Sequence, residues 1–257
     1  MAQIPPMDEY SLCPIGRVRA PWKSCAEIPV QGGPAEIVVE AEFVDALDGV
    51  ERGTHLIVIG WLHEADRKVL QARPRKLNAE AAACGVFACR APVRPNPLSI
   101  TVVELARREG AVLHVDPLDL MDGTPIVDIK SYSPGWDTVF AAQRNQRVPA
   151  SALDDELLRA FLRRDVRNHV GPAWASLPAQ AAIEGVFAAV RHFAVAPRDA
   201  CFSATVGRLD LVTDALMAML GASFASGRIG LDPALGRARI RFQCGAKHLD
   251  VALDDGE

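Results

Sequence analysis

The hydrophobic pattern of this 257-residue chain changes its period near residue 148. Before that point, apolar residues occur in short β-branched or alternating runs, such as HLIVIGWL at 55–62 and AVLHV at 111–115, which is typical of strands. Beyond it they recur three and four residues apart, the spacing of one helix face. The change predicts two domains, 1–147 and 148–257, and the length also favours two.

Turn-forming residues separate the predicted strands of the first domain. They stand at QGG (31–33), REG (108–110) and MDGTP (121–125), and Asp-Gly is a strong hairpin signal. Short strands joined in this way build a barrel or a curled sheet. We therefore predict a mainly β protein whose N-terminal domain is a β-barrel with few helices, and AEIVVEAEFV (35–44) is expected to supply one strand.

The second domain combines predicted helices with predicted strands. Helical periodicity covers 151–164, 179–193 and 210–220, and Ser151 and Asp154 have the spacing of a capping box. Strands are predicted within RDACFSATVG, RIGLD, RARIRF and HLDVAL. This domain is therefore expected to be a smaller α+β fold.

Composition excludes several classes of protein. With 49% hydrophobic and 23% charged residues, the chain resembles an ordinary globular protein. It contains neither an apolar run long enough for a membrane span nor a signal-peptide core near its start, so we expect a cytoplasmic protein without a membrane partner. Six cysteines without a CxxC pair favour free thiols, and no metal is expected. A net charge of −4 argues against general coating of nucleic acid.

One segment departs from this acidic balance. The stretch from Arg67 to Arg94 contains a single acidic residue, Glu80, beside seven basic residues: Arg67, Lys68, Arg73, Arg75, Lys76, Arg90 and Arg94. Such a patch can hold phosphates, or it can be a solvated surface. Composition leaves both interpretations open.

The end of this segment, ACRAPVRPNPLS (88–99), contains three prolines. A proline restrains the residue before it to extended backbone, here Ala91, Arg94 and Asn96. Pre-ordered arginine and asparagine side chains favour binding of a ligand with several polar groups. A purely structural turn is the alternative interpretation.

Four motifs occur in order along the first domain: PIGRVRAPWK (14–23), PVQGG (29–33), GVFACRAPVRPNPLSITVVEL (85–105) and DLMDGTPIVDIKSY (119–132). Together they resemble the TrmO family, also called TsaA-like or YaeB-like, over roughly residues 11–145. The resemblance implies a homodimeric β-barrel that binds S-adenosylmethionine without a Rossmann domain. It also implies methylation of N6 of threonylcarbamoyladenosine beside the tRNA anticodon. The lack of a GxGxxG motif agrees with a non-Rossmann site.

The resemblance implies a set of residues for the methyl donor. Arg90 or Arg94 would grip its carboxylate, Asp122 its ribose or ammonium group, and Leu98 would face its adenine. The full set is Pro29, Gln31, His63, Glu64, Arg90, Arg94, Asn96, Leu98, Asp122, Gly123, Thr124 and Pro125. Asp122 could equally satisfy its own turn, and a lone histidine such as His63 is more often a rim residue than a ligand.

For the reaction itself, Asp128 is the predicted base, with Tyr132 as the second choice. A salt bridge between Asp128 and Lys130 is the competing explanation. The target base could stack on Trp22, Trp61 or Tyr132. Phosphates of the anticodon loop would then meet Arg67, Lys68, Arg73, Arg75 and Lys76. A magnesium site at Asp119, Asp122 and Asp128 is not expected, because the spacing does not match a calcium-type loop.

The sequence departs from the family pattern at four positions. Ser99 replaces a glycine and would fill space near the donor; Ala20 and Ala91 replace serines, and Ser131 replaces a proline. These changes leave donor binding expected but put the tRNA substrate in question. The alternatives are a small-molecule methyltransferase whose second domain selects the acceptor, and a non-catalytic sensor of S-adenosylmethionine.

The second domain faintly resembles the E-type domain of formylmethanofuran dehydrogenase, through VRNHVGP (166–172) and residues 214–242. The metal-binding positions of that pattern are occupied here by Arg167, Asn168, Gly171 and Ala222, which leaves His169 as a single candidate ligand. One histidine does not make a zinc site. The resemblance therefore implies a metal-free module for dimerisation or substrate choice.

Overall fold

The computed structural model describes residues 11–73, 82–139 and 153–253. These residues fall into two compact units, one formed by 11–73 with 82–139 and the other by 153–253. The predicted boundary between 147 and 148 lies outside the described residues, so it stays a prediction.

The first unit is a closed six-stranded barrel, as predicted. Its strands are β1 (Gly16–Arg19), β2 (Gly33–Val39), β3 (His55–Trp61), β6 (Leu98–Glu109), β7 (Val112–Leu118) and β8 (Pro125–Ser131). They follow the order β1-β2-β7-β6-β3-β8, and every neighbouring pair is antiparallel. Two short strands, β4 (Gln71–Ala72) and β5 (Cys84–Gly85), pair with each other separately.

Alternation of side chains fills the barrel interior. Every second residue of β2 and β3 is buried, for example Ile37 in β2 and Leu56 and Val58 in β3, because successive strand residues face opposite sides. The long strand β6 pairs with β3 through its first half and with β7 through its second half. A register shift between Leu105 and Arg107 marks the change of partner, and such irregularities let a sheet curve into a barrel.

Two predictions for this unit were wrong in detail. The segment 35–44 does not continue as a strand, because β2 ends at Val39 and a 3-10 helix follows at Ala41–Leu47. Leu47 is buried there, so the helix contributes one apolar side chain to the core. Strand β1 was not recognised, since it has only four residues, GRVR, two of them arginines. A short helix, α1 (Pro134–Asp137), follows β8.

The second unit is α+β, as predicted. Its elements are α2 (Asp155–Val170), α3 (Leu177–Phe193), β9 (Phe202–Val206), α4 (Leu211–Leu220), β10 (Ile229–Leu231), β11 (Arg239–Cys244) and β12 (Lys247–Ala252). The sheet has the order β10-β9-β11-β12. Phe202 and Phe242 stack in its core with ring centroids 5.6 Å apart. No helix among the described residues is long and apolar enough to cross a membrane.

Helix caps explain where the helices of this unit begin. The sequence predicts Asp154 three residues inside a capping box, but it is itself the N-cap of α2 and accepts a hydrogen bond from Leu157 N. Asp210 and Thr213 form a capping box at α4. Each cap satisfies backbone N–H groups that a helix start leaves without partners.

Candidate active site

A cavity of about 720 Å³ lies at one end of the barrel in the first unit. β3 ends there at Trp61, which pairs with Leu98 at the start of β6, and Gly60 pairs with Ile126 near the start of β8. The loops attached to these strand ends therefore meet at the same end. They contribute the lining residues Cys25, Ile28, Pro29, Val30, Leu62, His63, Glu64, Ala65, Arg90, Ala91, Pro92, Val93, Arg94, Leu98, Ser99, Ile100, Thr101, Asp119, Leu120, Met121 and Thr124.

The cavity gathers part of the predicted donor site. The predicted residues that line it are Pro29, His63, Glu64, Arg90, Arg94, Leu98 and Thr124. Those that do not line it are Gln31, Asn96, Asp122, Gly123 and Pro125. The ligand roles of all twelve stay predictions, but the geometry brings motifs from four parts of the sequence to one cavity.

Asp122 serves the turn on which it stands. Its carboxylate accepts a hydrogen bond from Ala20 N at 3.0 Å and lies 2.6 Å from Lys23 Nζ. Lys23 holds the pKa of the Asp122 carboxyl below its usual value, and the Ala20 N–H lowers it further. These contacts tie the β7–β8 turn to the chain that follows β1, which agrees with the structural interpretation of the Asp-Gly pair.

Arg94 acts as a brace within the proline-rich loop. Its Nε donates to Ala91 O at 2.9 Å, and one terminal nitrogen donates to Val86 O at 3.1 Å and to Cys89 O at 2.8 Å. Three backbone carbonyls therefore share this guanidinium. Arg90 is more exposed and uses one terminal nitrogen to donate to Ile100 O, so its remaining donors are candidates for a carboxylate bound in the cavity.

Asp119 is a candidate that the sequence suggested only for magnesium. It lines the cavity, and its Oδ1 accepts a hydrogen bond from Thr101 Oγ1 at 2.6 Å. Its position at the start of DLMDGTP, directly after β7, was the available signal. Within the described parts of the chain, no group of three His, Cys, Asp or Glu residues could hold a metal, and Asp128 instead pairs with Lys130 at 3.0 Å.

The predicted base lies away from this cavity. Asp128 pairs with Ile59 in the barrel wall and lines a second cavity of about 340 Å³. Tyr132 donates its backbone N–H to His55 O, at the opposite end of β3 from Trp61. Six strand residues span about 20 Å. The structure does not bring Asp128 or Tyr132 to the lining residues, and their catalytic role stays a prediction.

The basic segment begins beside the cavity. Arg67 Nε donates to Pro95 O at 2.9 Å, and its guanidinium carbon lies 5.6 Å from the centroid of the Trp61 ring. Lys68 and Arg73 are exposed. Arg75 and Lys76 lie outside the described residues.

Ser99, which stands in place of the family glycine, makes two contacts with the neighbouring strand. Its Oγ accepts from Gly60 N at 3.1 Å and donates to Gly60 O at 3.3 Å. A Cβ at position 60 would lie 2.8 Å from this oxygen. The hydroxyl therefore packs onto the Gly60 backbone. Ala91 lines the cavity, Ala20 is buried and Ser131 is exposed.

The first unit is thus a ligand-binding β-barrel with a cavity of mixed charge at one end. A sequence profile for the tRNA-methyltransferase O N-terminal domain matches residues 17–138. A probable S-adenosyl-L-methionine-binding protein of Methanothermobacter thermautotrophicus is 41% identical over 135 residues, which are 51% of this chain and 96% of that protein. The chain belongs to the TrmO family.

Three further similarities extend the comparison. A probable S-adenosyl-L-methionine-binding protein of Archaeoglobus fulgidus is 42% identical over 165 residues, which are 62% of this chain but only 43% of that protein. The tRNA (adenine(37)-N6)-methyltransferase of Escherichia coli is 31% identical over 162 residues, 57% of this chain and 68% of that enzyme. A crystal structure of TrmO from Pseudomonas aeruginosa is 32% identical, with 55% of this chain and 62% of that chain covered and a TM-score of 0.45.

Proposed function

We propose that this protein is an S-adenosylmethionine-dependent methyltransferase that methylates N6 of threonylcarbamoyladenosine next to the tRNA anticodon. The observation that carries the proposal is the cavity of mixed charge, which lies within the part of the chain that matches the family profile. Relatives named as S-adenosyl-L-methionine-binding support the donor. The relative named as a tRNA (adenine(37)-N6)-methyltransferase supports the acceptor.

The cavity suits the donor by size and charge. Its volume of about 720 Å³ lies within the range of about 300–1,000 Å³ that is usual for small-molecule sites. Asp119 and Glu64 provide negative charge for the ammonium and sulfonium groups, and Arg90 provides a guanidinium for the carboxylate. Leu62 and Leu98 offer apolar surface for the adenine. When bound, the donor supplies an electrophilic methyl group on sulfur.

The residues of this chain then act mainly by positioning. Methyl transfer needs the acceptor nitrogen in line with the methyl–sulfur bond, and holding two reactants in that geometry lowers the barrier substantially. Arg94 keeps the loop from Val86 to Arg94 in one shape through its three carbonyl contacts. Thr101 fixes the direction of the Asp119 carboxylate. Asp128 and Tyr132 remain predictions for the proton acceptor.

Partners belong to the same proposal. We expect the anticodon loop of tRNA as the macromolecular substrate, with the basic residues after Trp61 near its phosphates, and a homodimer as the working assembly. A small-molecule acceptor is the second candidate, and the altered motif positions Ala91 and Ser99 favour it, since both line the cavity. A sensor that binds the donor without transferring its methyl group is the third.

The test uses the purified full chain, labelled S-adenosylmethionine and tRNA from a strain that lacks the gene. The proposal predicts label in one adenosine-derived nucleoside next to the anticodon. Label in a small molecule but not in tRNA would replace the acceptor. Donor binding without transfer to any acceptor of a cell extract would support the sensor.

A further inference from the structure

We propose that Trp61 and Arg67 form a stacked platform at the cavity mouth on which a nucleobase of the RNA substrate lies flat. This inference rests on the proposed function. The guanidinium carbon of Arg67 lies 5.6 Å from the Trp61 ring centroid. The Arg67 Nε is fixed by its hydrogen bond to Pro95 O at 2.9 Å.

The platform lies next to the cavity along the chain on both sides. Trp61 ends β3 and is followed directly by the lining residues from Leu62 to Ala65, and Arg67 comes two residues later. Pro95, which holds the Arg67 side chain, follows the lining residue Arg94. A base stacked here would therefore stand at the entrance to the proposed donor site.

The other predicted stacking residues are placed less well. Trp22 packs against the barrel core, and a Cβ at Gly33 would lie 3.0 Å from its ring. Tyr132 lies beside His55, at the far end of β3. Trp136 is 89% exposed but stands in α1, which follows the end of β8 at that far end. Of these aromatic residues, Trp61 has both a cavity neighbour and a cation over its ring.

Stacking explains why an arginine held flat is useful at this place. Single-stranded RNA is recognised largely by stacking of splayed bases on aromatic rings or on guanidinium planes. Arg67 has already lost part of its side-chain freedom through the bond to Pro95, so less entropy is lost when a base binds. Its terminal nitrogens remain available for a base edge or a phosphate.

The experiment compares binding of an anticodon stem-loop RNA to the full chain and to its variants, by fluorescence anisotropy at two salt concentrations. Trp61→Ala and Arg67→Ala should each weaken RNA binding about 10-fold or more, the effect of one lost base stack. Calorimetry with S-adenosylmethionine should give an unchanged Kd for both. Trp136→Ala, an exposed tryptophan outside the platform, is the matched control and should bind RNA like the wild type.

Two further variants separate stacking from charge and from misfolding. Arg67→Lys keeps the charge but loses the plane, so it should bind RNA as weakly as Arg67→Ala. Full rescue by lysine would show a simple phosphate contact and overturn the platform. Trp61→Phe keeps a ring and should bind RNA within about 3-fold of the wild type, whereas equal binding by Trp61→Ala overturns the proposal.

Steady-state transfer to tRNA distinguishes this failure from failure of the proposed function. The platform predicts a higher KM for tRNA with little change in kcat for Trp61→Ala. If the wild type transfers no methyl group to tRNA, the proposed function fails. If it does transfer, and Trp61→Ala and Arg67→Ala retain the wild-type KM, the proposed function stands and the platform is wrong.

Discussion

At the scale of single residues, Ser99 shows how a departure from the family pattern is accommodated. The pairing of β3 with β8 shifts register between Ile59 and Gly60, which disturbs the ladder at Gly60. The Ser99 hydroxyl supplies an acceptor for Gly60 N and a donor for Gly60 O. The expectation that Ser99 would fill space near the donor therefore needs a qualification: its oxygen is directed to the neighbouring strand.

Ser99→Ala should destabilise the protein. Because Gly60 is buried, losing the acceptor for its N–H costs about 1 to 3 kcal/mol. Urea unfolding measures the change as a lower midpoint with an unchanged slope. Ser131→Ala, at an exposed position of β8, is the control and should change stability by less than about 0.5 kcal/mol. Equal midpoints for Ser99→Ala and wild type would contradict the role of this hydroxyl.

Lys23→Met should raise the pKa of the Asp122 carboxyl, because the ammonium that now lowers it is removed. A depressed pKa in the folded state contributes stability above the unfolded pKa, and this is lost as the pH falls through the folded value. The variant should therefore lose less stability than the wild type between neutral pH and pH values below about 3.9. An NMR titration of the Asp122 carboxyl carbon checks the shift.

The control for this titration is Lys68→Met, which removes an exposed cation from another loop and should leave the Asp122 titration unchanged. The interpretation fails if Lys23→Met also leaves it unchanged. The effect on stability is expected to be small, since Lys23 is exposed to solvent and surface ion pairs contribute little.

At the scale of structural elements, the sequence predicted most strands and all three long helices. Periodicity sufficed where an element buries one face, as in β3 and α3. It failed for β1, whose four residues are too few to show a period, and for the chain after Val39, where a 3-10 helix also buries an apolar residue. Period alone cannot separate these cases, because short apolar runs fit either structure.

Arg94→Ala should loosen the loop from Val86 to Arg94, because three carbonyls lose their shared donor. Hydrogen exchange in this loop should become faster, and affinity for S-adenosylmethionine should fall at least several-fold. Arg94→Lys should rescue only partly, since an ammonium lacks the planar fork. Arg17→Ala, which changes an exposed arginine of β1, is the control. Unchanged exchange in Arg94→Ala would show that the prolines alone order the loop.

The second unit contains a pair of neighbouring thiols at the edge where β9 begins and β11 ends. Cys244 pairs with Phe202, which follows Cys201 directly. The hydrogen bond between the two thiol side chains, followed by burial and by Asp199, raises the pKa of Cys201 to about 12. Both cysteines are free.

This raised pKa predicts slow alkylation of Cys201 by iodoacetamide up to strongly basic pH, because the thiolate is the nucleophile. Cys244→Ala should lower the pKa and speed the reaction at pH 9, as followed by mass spectrometry of the Cys201 peptide. Cys13→Ala should not. A pKa raised in the folded state also means that its stabilising contribution is present below about pH 8.5 and is lost as the pH rises towards 12. Equal alkylation rates in wild type and Cys244→Ala would contradict this.

At the scale of the whole molecule, the sequence identified the family and the barrel better than it identified the working groups. Motifs distant in sequence, such as 62–65 and 119–121, meet in the cavity because antiparallel register brings their strand ends together. That register is a property of the closed barrel, so it could not be read from local pattern. The same limitation explains why Asp119 received little attention, and why Asp122 was assigned to the donor although its carboxylate is held by Lys23.

The central claim is that S-adenosylmethionine binds in the barrel-end cavity between Asp119 and the arginine-bearing loop. Calorimetry of the full chain with S-adenosylmethionine tests it most directly, with Asp119→Asn as the variant and Asp45→Asn, an exposed aspartate of the 3-10 helix after β2, as the control. The account predicts one donor molecule per chain and binding about 10-fold or more weaker for Asp119→Asn, since a contact to a charged partner is lost. Absence of binding to the wild type, or equal affinity of Asp119→Asn and wild type, would contradict it.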